Sequence, residues 1–496
     1  MALALIPLIY LLIRAGEKPG AQIIELLLRF KTLEVVATTA LLVLLVILLT
    51  AVFGVLTAAG LYFLNLPVKT WLIIPAVAPL AIPSYVFTYT WIAFVPGFSG
   101  FFAAVFILVL TTLPYVTLAC LAGLRRVDAS QIEVARSLGL SYPKTFFKVV
   151  LPQIRGHLSG GLLLAGLYTM SDFGAVSLLN VDTLTVTIQN MYRASYDRSS
   201  AAVISLVLIG LSTLFVFGDE ISKRRQLRNG LIKTTSTKAV LIDKASYKVI
   251  TLFLILTYAT LAIFVPVYVL LSRFISNSVS IDWQSLFQAS LSTVTVALFG
   301  ACLALALSIP LGILFSENST VFSRMTNRVI LISHALPGVV IGLALVSLGS
   351  KLGAIYQSTF LLAFAYALLF LAKAVAAMSS SLGQVPTGAK EVAATLGLNR
   401  WMVLKKVTAP IAAPGIALGT VLVFLTAMKE LPATLMLRPT GFETLATQIW
   451  SYAAINRFNE AAPYALILIL IAAIPTFILS RPDRSERSTL NQGVGN

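Results

Sequence analysis

The sequence predicts an all-α polytopic membrane protein of about twelve transmembrane helices arranged as two parallel six-helix halves. Three observations carry that prediction. Apolar residues make up 58% of the 496 and charged residues only 11%, against roughly 25% charged in soluble domains, so most of the chain requires a solvent other than water. Long apolar stretches such as VVATTALLVLLVILLTAVFGVLTAAGLYF and YALILILIAAIPTFIL recur along it, and helices are the form that satisfies their backbone in lipid. Finally, a polar phrase is written twice, 258 residues apart: IEVARSLGLSYPKTFFKVVLP at 132–152 and KEVAATLGLNRWMVLKKVTAP at 390–410.

In chain order, the apolar stretches predict helices near 1–14, 36–63, 71–94, 101–123, 159–179 and 201–218. A second set follows near 248–272, 289–315, 329–350, 357–379, 412–428 and 463–480. The first stretch is short, either a clipped helix or the result of a start site placed late, and no small-residue cleavage pattern marks it as a signal peptide. Six crossings return the chain to its starting side. Residues 1–218 and 248–480 are therefore parallel halves related by an axis along the membrane normal, joined by a basic linker at 219–247 and followed by a polar tail at 481–496.

The formal net charge of +17 is read through its placement. Lys and Arg gather in the linker and in the loop near 124–157, the pattern of cytoplasmic loops under the positive-inside rule. That distribution points to the lipid bilayer and its anionic headgroups as the partner of the charge, with no nucleic acid. Cys120 and Cys302 fall in apolar segments and read as small packed hydrophobes. His157 and His334 do not occupy matching positions, so no metal site is assigned. The sequence contains neither a G-x-x-x-x-G-K-[ST] phosphate loop nor H-E-x-x-H, so any energy from ATP has to come through another subunit.

The repeated phrase keeps Glu133/Glu391, Val134/Val392, Ala135/Ala393, the Leu-Gly-Leu runs at 138–140 and 396–398, Lys148/Lys406, Val149/Val407 and Pro152/Pro410. In the first copy Asp128 or Ser130 can cap a helix start, Ile132, Ala135 and Leu138 share a face, and Gly139 offers a left-handed stop. In the second, Thr387 can cap, Ala389, Val392, Ala393 and Leu396 form the apolar side, and Gly397 ends the helix. Each copy is thus a short amphipathic helix, broken by glycine and followed by a second amphipathic run that enters the membrane after the proline. Such a helix can simply lie on the membrane surface, but a matched pair about a pseudo-twofold axis suits docking on a twofold-symmetric soluble partner.

Outside the phrase, Gly161 answers Gly419 and Asp172 falls opposite Glu430, while Ile82-Pro83 resembles Leu336-Pro337 four residues out of register. The prolines and glycines are read as kinks and close-packing points.

The segments with Glu133, Ala135, Gly139 and Pro152, and with Glu391, Ala393, Gly397 and Pro410, resemble the EAA loop of permease subunits in binding-protein-dependent ABC importers. Both copies spell Glu-Val-Ala where the loop has Glu-Ala-Ala. The resemblance implies the type I permease fold, coupling loops near 124–157 and 382–414, and a bacterial inner-membrane location. It also implies an ATPase subunit dimer on the cytoplasmic face, which consumes ATP and Mg, and a periplasmic substrate-binding protein on the outer face. No cofactor is then bound by this chain, and the chain is not itself an enzyme.

SDFGAVSLL at 171–179 and MKELPATLMLRPTGFETLATQIWSYA at 428–453, with the total length, resemble the fused permeases of ferric iron importers. Thiamine permeases of the same broad group are fused as well, so thiamine is the alternative cargo. A gradient-driven secondary transporter also has parallel halves, but it needs more ionisable groups deep in the membrane and gives no reason for two glycine-broken helices.

Asp172 and Glu430 are the candidate lining of the translocation pathway: two carboxylates facing the axis would suit a hard cation such as ferric iron. The alternative is that Glu430 pairs with Lys429 or Arg438 and Asp172 caps a helix near Ser171. Arg193, Asp197, Arg198, Arg273, Asp282, Arg438, Glu443, Arg457 and Glu460 mark outward loops at 180–200, 273–288 and 438–462, able to register a soluble partner or simply solvated.

Overall fold

The computed structural model describes residues 2–66, 69–193, 197–228, 242–276, 281–317, 320, 322–323, 325–326, 329–330, 336–351 and 353–480. Residues 229–241 of the linker, residues 331–335 with His334 in the stretch at 329–350, and the tail at 481–496 lie outside them. No described residue forms part of a multi-residue strand; a lone bridge joins Leu64 to Ile242.

The first half contains α1 (Ala2–Ala15), α2 (Gly20–Leu28), α3 (Phe30–Phe63), α4 (Lys69–Val77), α5 (Ser84–Phe94) and α6 (Phe101–Leu124). It continues with α7 (Ala129–Ser137), α8 (Tyr142–Thr145), α9 (Leu151–Ser171), α10 (Gly174–Leu178), α11 (Leu184–Arg193) and α12 (Arg198–Arg228). The second half contains α13 (Ala245–Ala259), α14 (Val265–Ile275), α15 (Trp283–Glu317), α16 (Gly338–Gly349), α17 (Thr359–Gly383) and α18 (Thr387–Thr395). It ends with α19 (Arg400–Val403), α20 (Ala409–Met428), α21 (Pro432–Leu437), α22 (Leu445–Ala453) and α23 (Phe458–Ser480).

Seven described helices are long and apolar enough to cross a membrane, or eight if the bent pair Trp71–Ala81 and Ser84–Phe94 is one span. The remaining expected crossings are short, as at Leu5–Ala15, Gly338–Gly349 and Phe458–Ile474, or interrupted. The stretch expected as one helix at 71–94 bends by 95° because Pro83 adopts an extended ψ of 153° and starts α5 as its cap, a position where its missing N–H is no loss. The stretch expected at 159–179 breaks at Asp172, whose extended ψ of 131° ends α9.

Before the membrane the chain is more helical than the sequence suggested. The runs ahead of Pro152 and Pro410 are a single helical turn, a π-turn and then the long helix: Phe146–Val150 leads into α9 and Leu404–Thr408 into α20. Proline removes a donor and crowds the carbonyl four residues back, and one wider turn relieves that conflict without ending the helix. Thr260–Phe264, ahead of Pro266, is a third instance. His157 consequently lies inside α9, not in a loop.

Packing repeats between halves. The trio α3, α6 and α9 pack on one another as α15, α17 and α20 do. Small residues set the approach: a Cβ on Gly161 would lie 2.9 Å from Ala119 Cβ, and one on Gly419 would overlap Ala377. The first helices cross over, since α1 packs on α12 and α16 while α14 packs on α23 and α5. Buried threonines spend their hydroxyls on carbonyls one turn back, as Thr39 does on Val35 at 2.8 Å and Thr50 on Val46 at 2.7 Å, which satisfies them without water. Large exposed apolar side chains on α3 and α15, among them Leu44, Leu48, Leu291 and Leu298, form the surface that lipid solvates.

Candidate functional site

Two features stand out: a pair of matched helices at one end of the molecule and a cavity between the halves. The matched helices are α7 and α18. Each ends in the same double closure: Gly139 N–H donates to Arg136 O at 3.0 Å and Leu140 N–H to Ala135 O at 3.2 Å, and Gly397 and Leu398 do the same to Ala394 and Ala393 at 3.0 and 3.2 Å. This Schellman closure needs a left-handed residue after the cap, and the φ angles are +84° at Gly139 and +83° at Gly397. Glycine occupies both positions because a side chain there is strained, even though nothing lies within 4 Å of where its Cβ would be.

Ala135 and Ala393 are buried, each 5% exposed, while Val134 and Val392 are 58% and 59% exposed and Leu138 and Leu396 both 77%. Val392, Leu138 and Leu396 are therefore exposed although the pattern places them on the apolar side with the buried alanines; Leu138 and Leu396 are the cap residues at which the glycine closure redirects the chain. Glu133 and Glu391 are exposed, and among the described residues neither has an ion-pair or hydrogen-bond partner. Each projection therefore presents a free carboxylate and two apolar side chains in the same order.

The helix starts differ. Asp128 accepts from Ser130 N–H at 3.0 Å and its hydroxyl at 2.7 Å, which holds the exposed Asp128 carboxyl below its ordinary range. Thr387, expected to cap, is instead the first residue of α18, behind Pro386, and makes no side-chain cap.

The cavity has a volume of about 1280 Å3 and is lined by both halves, from α4, α5, α6, α9, α16, α17, α20 and the turns after α9 and α20. Asp172 and Glu430 both line it and are built alike. Asp172 Oδ1 accepts from Ala175 N–H at 2.9 Å and Glu430 Oε1 from Ala433 N–H at 2.9 Å, so each carboxylate, one residue ahead of the cap position, satisfies a first-turn N–H of the short helix that follows it, α10 or α21. Capping and lining thus coexist.

The neighbours of the two carboxylates are exchanged for size. Ser84, the first residue of α5, donates its hydroxyl to Asp172 Oδ2. Gly338, the first residue of α16, stands where a Cβ would collide with Glu430 Oε1. A short acid with a serine faces a longer acid with a glycine. The Ile82-Pro83 and Leu336-Pro337 pairs position these residues: each proline is the cap, with ψ of 153° and 154°.

Glu430 pairs with neither Lys429 nor Arg438. Lys429 Nζ donates to Leu80 O at 2.6 Å, and Arg438 forms an ion pair with Glu443. Several outward charges are likewise engaged internally. Asp197 accepts from Lys18 Nζ at 3.0 Å, Arg273 donates to Ala93 O at 3.0 Å, Asp282 caps α15 through Ser285 N–H at 3.0 Å, and Arg457 pairs with Glu460 at 2.7 Å. For Asp197, partial burial acts to raise the carboxyl, but the Ser200 hydrogen bonds and the Lys18 ammonium outweigh it and bring it down to about 2.

The sequence reading missed Ser84, Gly338, Tyr115, Tyr168 and Lys373, all of which line the cavity. Two signals were present: Ser84 and Gly338 each follow the paired prolines, and Lys373 is a charge inside an apolar stretch. No group of three or more His, Cys, Asp or Glu side chains able to hold a metal ion occurs among the described residues.

Compared with known families, the chain matches the model for the binding-protein-dependent transport system inner membrane component twice, at residues 51–228 and 308–482. The chain belongs to this family. The permease is thus a two-copy, multi-pass inner-membrane protein and not an enzyme.

Along nearly its whole length the permease is similar to the Fe(3+)-transport system permease protein FbpB 2 of Haemophilus influenzae, 31% identical over 96% of this chain and 95% of that protein. The spermidine/putrescine transport system permease protein PotC of Escherichia coli is 24% identical, and 95% of it aligns with 48% of this chain. A complete relative occupying about half of the permease fits two copies in one chain. Sulfate permease 2 of Chlamydomonas reinhardtii is 28% identical over 43% of this chain and 63% of its own length.

Proposed function

We propose that this permease carries ferric iron, delivered by a periplasmic binding protein, across the inner membrane, driven by ATP and Mg consumed in a separate ATPase dimer. The observation that carries the reading is the matched geometry of α7 and α18: two free carboxylates, two pairs of exposed Val and Leu, and two identical glycine closures. The full-length similarity to a Fe(3+) permease supports the cargo. In this reading residues 1–218 and 248–480 are parallel halves of six crossings each, linked by 219–247 and followed by the polar tail 481–496.

The coupling residues are Glu133, Ala135, Gly139 and Pro152 with Glu391, Ala393, Gly397 and Pro410. The glutamates, Val134, Val392, Leu138 and Leu396 contact the ATPase; the alanines seat each projection; the glycines fix its angle. The prolines, through the π-turns, join each projection to α9 or α20. Those helices end at Asp172 and just before Glu430, so closing of the ATPase dimer moves the carboxylates directly, as rigid-body rocking of one half against the other.

The test is uptake by proteoliposomes containing the permease and its ATPase, offered binding protein loaded with ferric iron or with thiamine. Iron accumulation that requires internal ATP is expected. Accumulation of thiamine alone would keep the coupling argument and replace the cargo, and uptake driven by an ion gradient without the ATPase would end both. Asp172→Asn, which keeps an oxygen for Ala175 N–H while removing the charge, is expected to lower iron uptake with folding intact, as is Glu430→Gln.

A further inference from the structure

The cavity is not a simple cation-attracting surface. Beside Asp172 and Glu430 it is lined by Lys373, Lys429 and Arg125, so the charged groups of the path proposed above for a trivalent cation sum to a net positive charge. The cations are also unevenly placed. Lys373 and Lys429 belong to α17 and the end of α20, and the positions 258 residues earlier are Tyr115 and Ser171, which line the same cavity. The second half contributes two ammonium groups where the first contributes neutral hydroxyls.

Neither ammonium has an ion pair among the described residues, although Lys373 and Glu430 attract one another. Lys429 uses one of its three donors on Leu80 O at 2.6 Å. Lys373 Nζ sits 5.3 Å from the centre of the Phe370 ring, and among the described residues it has no hydrogen-bond acceptor and no ion pair. Glu430 Oε1 is committed to Ala433 N–H. Glu430 can offset only one of the two, and an ammonium group left without a counter-charge at membrane depth is costly, so this wall of the cavity favours an acceptor-rich, negatively charged occupant.

We propose that Lys373 and Lys429 form an oxyanion subsite of the pathway, and that ferric iron passes as a complex with a small carboxylate or phosphate ligand. The inference rests on the iron reading given above. The metal end of such a complex faces Asp172 and Glu430 while its bound oxyanion faces the lysines, so the unequal walls orient the cargo. A bare trivalent ion would gain from the carboxylates and be repelled by both ammonium groups. A complex satisfies all four.

The test is dual-label uptake in proteoliposomes with the ATPase, internal ATP and binding protein loaded with radioactive iron. One arm contains carbon-labelled citrate and the other phosphorus-labelled phosphate. One label is expected to enter in fixed proportion to iron and only with ATP; which one distinguishes carboxylate from phosphate. The K373Q/K429Q double variant is expected to lose the anion label and most iron uptake, while Lys373→Arg, which keeps the charge, retains both. Iron entering the unaltered permease with neither label overturns this inference and leaves the iron reading standing, the lysines then being internal counterions of Glu430. Failure of iron to enter in either arm overturns the iron reading and this inference with it.

Discussion

The two matched loops, around α7 and α18, share one backbone design and differ in almost everything that braces it. In the first, Asp128 caps α7, Arg136 lies 3.8 Å over the Tyr142 ring and donates to Leu140 O, and Gln153 Nε2 donates to Gln131 Oε1 at 3.2 Å. In the second, the corresponding residues are Pro386, Ala394, Arg400, Ile411 and Ala389, and the bracing shifts to Asn399, which caps α19 by accepting from Met402 N–H at 2.8 Å. Left-handed glycine, buried alanine and exposed carboxylate are common to both; the supporting polar contacts are not. The difference separates what an ATPase would touch from what merely holds the loop in place.

The deepest halves of the two repeats teach the same lesson through volume. Asp172 with Ser84 and Glu430 with Gly338 put a carboxylate oxygen on corresponding backbone N–H groups, those of Ala175 and Ala433, by different divisions of space. Across the α6–α9 and α17–α20 contacts the small residue changes sides: Gly123 faces His157, and Ser381 faces Gly415. Each pair works only as a pair.

The comparison can be broken most severely at the glycines. Gly139→Val together with Gly397→Val puts a β-branched residue at positive φ twice, at about 1–2 kcal/mol each. ATP-driven uptake is expected to fall roughly tenfold, within the usual range of coupling energies, while ATP hydrolysis by the complex continues. Uptake equal to that of the unaltered permease would remove the coupling role from both loops.

The volume exchange is tested next. Gly338→Ser overfills the space beside Glu430 and is expected to destabilise the permease by about 1–3 kcal/mol, read by thermal unfolding in detergent. Adding Glu430→Asp, which copies the first half, is expected to recover at least half of that loss, a non-additive outcome for touching residues. Strictly additive losses would mean that the two sites are not interchangeable designs.

The bracing gives the smallest effects. Asp128→Ala removes a used cap and is expected to lower the hydrogen-exchange protection of α7 by about 1 kcal/mol. Thr387→Ala at the start of α18 removes no cap and is expected to leave protection unchanged. Equal losses in the two loops would erase the asymmetry described here.

Much of this was readable in the sequence, for identifiable reasons. Gly139, Gly397 and the prolines act through backbone chemistry that a sequence states directly, so the closures and their spacing were legible. Asp172 and Glu430 were legible as charges in apolar surroundings at one offset. The outward turn of Leu138 and Leu396 was not, because helical periodicity continues a face through a residue that the Schellman closure redirects. The bend at Pro83 was legible as a proline but not as a 95° break, since the following helix is what completes the cap. Ser84 and Gly338 were hidden because their roles exist only against partners 88 and 92 positions away.

The most direct test of the central claim, that α7 and α18 are twin contact points for one ATPase dimer, is site-directed cross-linking. Leu138→Cys and Leu396→Cys are made separately in a permease whose Cys120 and Cys302 are replaced by Ala. Both are expected to cross-link to the ATPase subunit in comparable yield, with ATP altering the two yields in the same direction. Cross-linking at neither position, or at one alone, would contradict the account.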